Sequence, residues 1–138
     1  MDLIARAQCE IEARHAFFVD WFTGRAEARE MEMTAAAFAP QMRMIRPDGA
    51  ILLRPQVVEM IRHAHGSMAE SFSIDIRIHA AEMLSPDLAL LIYDEHQRVD
   101  GVSNLRRATV LMQAESLAPH GVLWRHVQET WSNDKYYH

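Results

Sequence analysis

GVLWRHVQETW, residues 121–131, reads as a β-strand near the end of the chain, yet neither of its faces is cleanly apolar. Strict alternation puts Leu123, Arg125, Val127, Glu129 and Trp131 on one side. Val122, Trp124, His126, Gln128 and Thr130 fall on the other. A strand with bulky and polar groups on both sides has two occupied faces. One faces a core or pocket, and the other faces something else.

Working back from this strand, the period of two persists as far as Ser73. SIDIRIHAAEML alternates Ile74, Ile76 and Ile78 against Asp75, Arg77 and His79. SPD turns the chain into LALLIYDEH, QRVDGVSN reads as a loop, and LRRATVLMQAE reads as another strand. Upstream the period is helical. Asp2 is placed to cap a helix running to about Thr23, with Gly24 as its stop. Its stripe is Ile4, Ile11, Phe18 and Phe22, with Gln8 and His15 inside it and Phe17 and Trp21 on one flank. Ala26–Phe38, rich in Ala, Glu and Met, reads as a second helix ended by Ala39-Pro40. QMRMI and ILL flank the turn RPDGA, and Pro55–His65, ended by Gly66, reads as a third helix. Three helices followed by an antiparallel meander predict an α+β domain with the helices packed on one sheet face.

The totals fit one soluble domain. The chain has 138 residues, 49% hydrophobic and 24% charged, with a net charge of −5. The negative charge argues against a nucleic-acid or anionic-membrane partner, since both need a basic face. Cys9 is the single cysteine, which rules out an intrachain disulfide and a thiolate metal cluster. The N-terminus has no unbroken apolar run, so a cytoplasmic location and no membrane span are expected. Lys135 is the single lysine, and the arginine bias matches a GC-rich bacterial genome.

Taken together, the three-helix start, the short hairpin and the long final meander resemble the nuclear transport factor 2-like (SnoaL-like, cystatin-like) superfamily over nearly the whole chain. Many small bacterial members end in a pattern like W-x-I-x-H-x-H-x-S. Trp124 and Ser132 match it, whereas His126, Gln128 and Thr130 replace the aliphatic residue and the two histidines. The resemblance implies a strongly bent antiparallel sheet curling around helix one to form a cone with a pocket. It also implies an outer sheet face that meets a second subunit. Ketosteroid isomerase belongs to this superfamily and serves as a worked case of acid–base tuning. At the position of its oxyanion-binding tyrosine this chain has Phe17, and at that of its base it has Arg46, in MIRPDG. A phenylalanine donates no hydrogen bond and a guanidinium abstracts no proton at neutral pH.

These residues predict a mainly apolar pocket walled by Phe17, Trp21 and Met44. Arg46 would offer an anion contact at the turn, unless it pairs with Asp48. Tyr93 shares a strand face with Glu95 and is a hydroxyl donor toward the pocket, with Glu95 or Glu129 as acid or base. Val127, Glu129 and Trp131 are assigned to the cone. Trp124, His126 and Gln128 are assigned to a homodimer interface. His15 reads as a satisfied wall residue. His63 and His65 flank the end of helix three but, two residues apart, do not share a helix face, and His79, His96 and His126 lie on separate strands, so no metal and no cofactor is expected. The functional expectation is binding of a small apolar or amphipathic molecule, with or without an anionic group. An isomerase-type acid–base enzyme and a dimerisation or scaffold module are the alternatives.

Overall fold

The computed structural model describes residues 1–133. Helix α1 spans Leu3–Phe22, and Asp2 accepts the Ala5 N–H at 2.8 Å as its cap. Ala7 and Ile11 are fully buried, with Ile4, Phe18 and Phe22 packed against the core beside them. Gly24, at φ +82°, lets the chain leave the helix. Helix α2 is Ala28–Ala35, shorter than its composition predicts. The segment after it is claimed by the sheet. Strand β1 is Phe38–Ile45, and Ala37 O accepts the Trp124 N–H at 2.9 Å. Pairing to another strand here overrides helix propensity. Pro40, which has no N–H, lies in the irregular part of β1 between Phe38 and Arg43.

A turn through Gly49 leads to β2 (Ile51–Leu53) and then α3 (Arg54–His63), with Pro55 in its first turn. The end of α3 is tied to the end of α1, because Gly66 N–H donates to Trp21 O at 3.0 Å. Four long strands follow: β3 Ser73–Ser85, β4 Leu88–Val99, β5 Val102–Ala114 and β6 Val122–Trp131. QRVDGVSN is not a loop. Val99 pairs with Val102, leaving Asp100 (φ +50°) and Gly101 (φ +79°) as a two-residue turn. Positive φ at both residues is the geometry that an Asp-Gly pair favours between antiparallel strands.

The six strands form one sheet in the order β2-β1-β6-β5-β4-β3. All neighbours are antiparallel except β1 and β6, which run parallel. The fold is therefore α+β, with α1 packed across the inner face of β3, β4 and β6. Among the described residues, no helix is long and apolar enough to cross a membrane.

One irregularity decides the faces of β6. Leu111 pairs with His126, but the next residue of β5, Met112, pairs with Trp124, so Arg125 is an extra residue. A bulge of one residue moves everything beyond it to the opposite face. Val122, Trp124, Val127 and Glu129 are consequently all buried on the inner side. The assignment of Trp124 to an outer interface is corrected. The side chain is 3% exposed and its indole N–H donates to Glu10 Oε2 at 2.7 Å.

Trp124→Ala should lower stability by about 3–5 kcal/mol, the range for a large buried aromatic. Urea denaturation would measure it, and a loss under 1 kcal/mol would mean that the inner placement is wrong.

Candidate functional site

Between the inner sheet face, α1 and α3 lies a cavity of about 130 Å³. Its wall is largely apolar. Phe18 and Phe22 come from α1, Phe38, Met42 and Met44 from β1, and Val57, Met60 and Ile61 from α3. Against this wall stands a compact polar group made of His15, Tyr93, Glu95, Gln97, Arg106 and Glu129. Alternation along β4 turns Tyr93, Glu95 and Gln97 inward, and the matching inner positions of β5 and β6 supply Arg106 and Glu129.

His15 is buried and both of its ring nitrogens face acceptors. Nδ1 is 2.7 Å from Ile11 O, and Nε2 is 3.0 Å from Glu95 Oε1. An imidazole with an acceptor at each nitrogen is best served by carrying both protons. Burial alone would lower its pKa, but the charge and hydrogen bond of Glu95 and the Ile11 carbonyl outweigh burial and raise it. Burial works equally against ionised Glu95. His15, the Gln97 amide and Arg106 nevertheless bring this carboxyl down to about 2.

Glu129 is the opposite case. Burial, then the negative charge of Glu95, push its pKa up to about 7 against the opposing pull of Arg106, His15 and Arg46. Arg106 Nη1 is 3.8 Å from Glu129 Oε1, too far for a hydrogen bond. Glu129 Oε1 and Arg106 Nε are both buried without a hydrogen-bond partner. Tyr93, 1% exposed, has its pKa raised well above 10, by burial first and then by Glu95 and Glu129, so its hydroxyl stays protonated.

Of the residues expected at the pocket, Met44, Tyr93 and Glu129 line the cavity, as do His15 and Glu95. Four expectations are corrected. Phe17 and Trp21 do not line it. Phe17 stacks on Trp21, and Trp21 packs on His65 with its N–H donated to Ile61 O at 2.7 Å. The helix presents Phe18 and Phe22 instead, a rotation of one residue. Arg46 lies outside, over a shallow groove beside α3, half-exposed and 3.7 Å from Asp48. Trp131 is 56% exposed, because β6 has by then run past the cavity, and it stacks under the Arg106 guanidinium at 4.7 Å. His126 and Gln128 do lie on the outer face, and Trp124 is part of the cavity wall.

Sequence reasoning missed Arg106 and Gln97. Each is two residues from a residue on the inner face, Ala108 and Glu95, so alternation carries the signal. Among the described residues, no three His, Cys, Asp or Glu side chains converge for a metal ion.

An α+β cone is the architecture of the nuclear transport factor 2-like proteins, and the solved structures agree. An NTF-2 like protein of unknown function from Pseudomonas aeruginosa is 27% identical, with a TM-score of 0.78 over 92% of this chain and 98% of that one. An uncharacterised cystatin-like protein from Caulobacter vibrioides is 18% identical, with a TM-score of 0.69 over 94% and 89%. A ketosteroid isomerase-like protein from Erwinia carotovora atroseptica is 11% identical, with a TM-score of 0.55 over 74% and 82%. The family model for the sucrose-6-phosphate phosphohydrolase C-terminal region matches residues 10–133, and the chain belongs to that family. No curated protein matches it.

The two carboxyls make opposite contributions to stability as pH changes. Glu129 has a folded value near 7 against 4.5, so its contribution is full below pH 4.5 and is lost as pH rises through 7. Glu95 has a folded value near 2, so its contribution is present above 4.5 and is lost as pH falls through 2. Glu129→Gln should therefore flatten the decline in stability between pH 4.5 and 7. By about pH 8 it should leave the variant roughly 2–3 kcal/mol more stable than the parent. Urea titrations across this range measure the effect, and parallel profiles for the two proteins would refute it.

Proposed function

We propose that this protein binds a small, mainly apolar molecule in the cone, with one polar group of that molecule set against Glu129. The observation that carries this reading is a carboxyl at 7% exposure, with an unpartnered oxygen, at the polar end of a largely apolar cavity. A buried polar atom without a partner is disfavoured by about 1–3 kcal/mol unless something meets it. A bound ligand would supply that partner. An anion contact through Arg46 is not part of this proposal, since Arg46 lies outside the cavity.

Ligand-observed NMR with a panel of small aromatic and alicyclic probes should find binders. Met44→Trp, which fills the cavity from its half-buried edge, should abolish their binding while keeping the fold. Absence of any binder to the parent protein would refute the proposal and favour a scaffold role.

A second reading, proton transfer to the bound molecule, is favoured by one observation. Glu95 and Glu129 have pKa values displaced in opposite directions within one cavity, the pattern of an ionised carboxylate beside a proton-exchanging one. Neither Phe17 nor Arg46 lines the cavity, so Glu129 would carry the proton. Loss of label from α-deuterated cyclohexanone, abolished by Glu129→Gln, would support this reading. Label retention at all pH values would remove it.

Self-association through the outer sheet face is also proposed. Leu90, Ile92, Leu111 and Leu123 are half-buried there, next to His126 and Gln128. His126 is kept largely neutral, because burial, Arg43 and Arg125 lower its pKa. A homodimer is the expected state, and Leu111→Arg should convert it to monomer by light scattering. A monomeric parent protein at micromolar concentration would refute this.

A further inference from the structure

We propose that the polar end of the cavity is a seat for a ligand hydroxyl, which accepts from Arg106 Nε and donates to Glu129 Oε1. This rests on the reading of the cone as a binding pocket and names the class of ligand: a small alcohol or phenol with an apolar body.

His15 uses both ring nitrogens, on Ile11 O and Glu95. Glu95 is met by His15 on one oxygen and by the Gln97 amide on the other. Arg106 Nη2 is 3.3 Å from Asn104 Oδ1, and the guanidinium lies over the Trp131 ring. In the site, Arg106 Nε and Glu129 Oε1 are the side-chain donor and acceptor buried without a partner. They belong to neighbouring strands, and Arg106 Nη1 is 3.8 Å from Glu129 Oε1.

A group that accepts one hydrogen bond and donates another from a single oxygen satisfies both atoms. An ammonium has no lone pair for Arg106. A carboxylate has no proton for Glu129, and it adds negative charge beside Glu95 and Glu129. A hydrocarbon leaves both atoms unmatched. The rest of the cavity wall, with Phe18, Phe22, Met42, Met44 and Val127, provides for an apolar body.

Toluene, benzyl alcohol and benzoate are matched probes, and their dissociation constants are measured by ligand-observed NMR at about pH 8. That pH lies above the value near 7 for Glu129, so its carboxyl is mainly ionised. Benzyl alcohol should bind about tenfold more tightly than toluene, the value of one to two satisfied hydrogen bonds. Benzoate should bind more weakly than benzyl alcohol. In Glu129→Leu and, separately, in Arg106→Met, the advantage of benzyl alcohol over toluene should fall to within about twofold, with toluene still bound. Retention of toluene binding shows that the pocket is intact in each variant. Equal affinity of the parent protein for toluene and benzyl alcohol overturns the hydroxyl seat and leaves the pocket standing. Tighter binding of benzoate overturns it in favour of an anion. If none of the three binds, the pocket reading fails and the seat with it.

Discussion

The Glu10 carboxylate is the contact on which the rest of the fold depends. It is fully buried, and four hydrogen bonds converge on it. Arg14 supplies a bidentate pair at 2.8 and 3.1 Å, Trp124 its indole N–H at 2.7 Å and His120 Nδ1 at 2.9 Å. Arg14 also reaches Thr34 of α2 at 2.7 Å. One helical side chain thus joins α1 to α2, to β6 and to the loop before β6. A carboxylate taken out of water tolerates this position only when its lone pairs are met and a countercharge is adjacent. The same contact gives the Trp124 indole a partner inside the core, so the bulge in β6 can turn that ring inward. The wall of the cavity beside His15 follows from it.

Much of this architecture is legible in the sequence. The stripe of α1, its Asp2 cap and Gly24 stop, the proline-led α3 and the period of two from Ser73 onward each reflect local physics. Where the reading fails, the deciding interaction is distant in sequence. Helix propensity carries Ala36–Phe38 until β6 pairs with that segment. No local pattern marks Arg125 as an extra residue, yet that one residue reverses the face of Trp124. The Asp-Gly pair at residues 100–101 was a local signal, and the polar residues around it obscured the hairpin. On α1, Phe17 and Trp21 are as apolar as Phe18 and Phe22. The choice between them is made by where α3 and His65 lie.

The site shows the same division. Alternation is enough to set Tyr93, Glu95 and Glu129 on inner faces. Their ionisation is set by which of them His15 reaches. Glu95 receives a cation and two hydrogen bonds, while Glu129, two strands away, receives burial and the field of Glu95. Exchanging these surroundings would exchange the roles of two chemically identical side chains. A carboxyl near neutrality in an apolar chamber can present a lone pair or a proton with little difference in free energy. That suits recognition of a neutral polar group as well as proton exchange.

At one margin of the sheet, β3 has a neighbour on one side only. Its register with β4 slips twice, past His79 and past Leu84, and Asp75, Arg77 and Glu82 are exposed along it. An open margin with evenly spaced N–H and C=O groups is a template for strands of other molecules, and the two slips and the charges interrupt that template. The edge of this long sheet thus carries its own protection against edge-to-edge growth, built from two slips of register and three exposed charges.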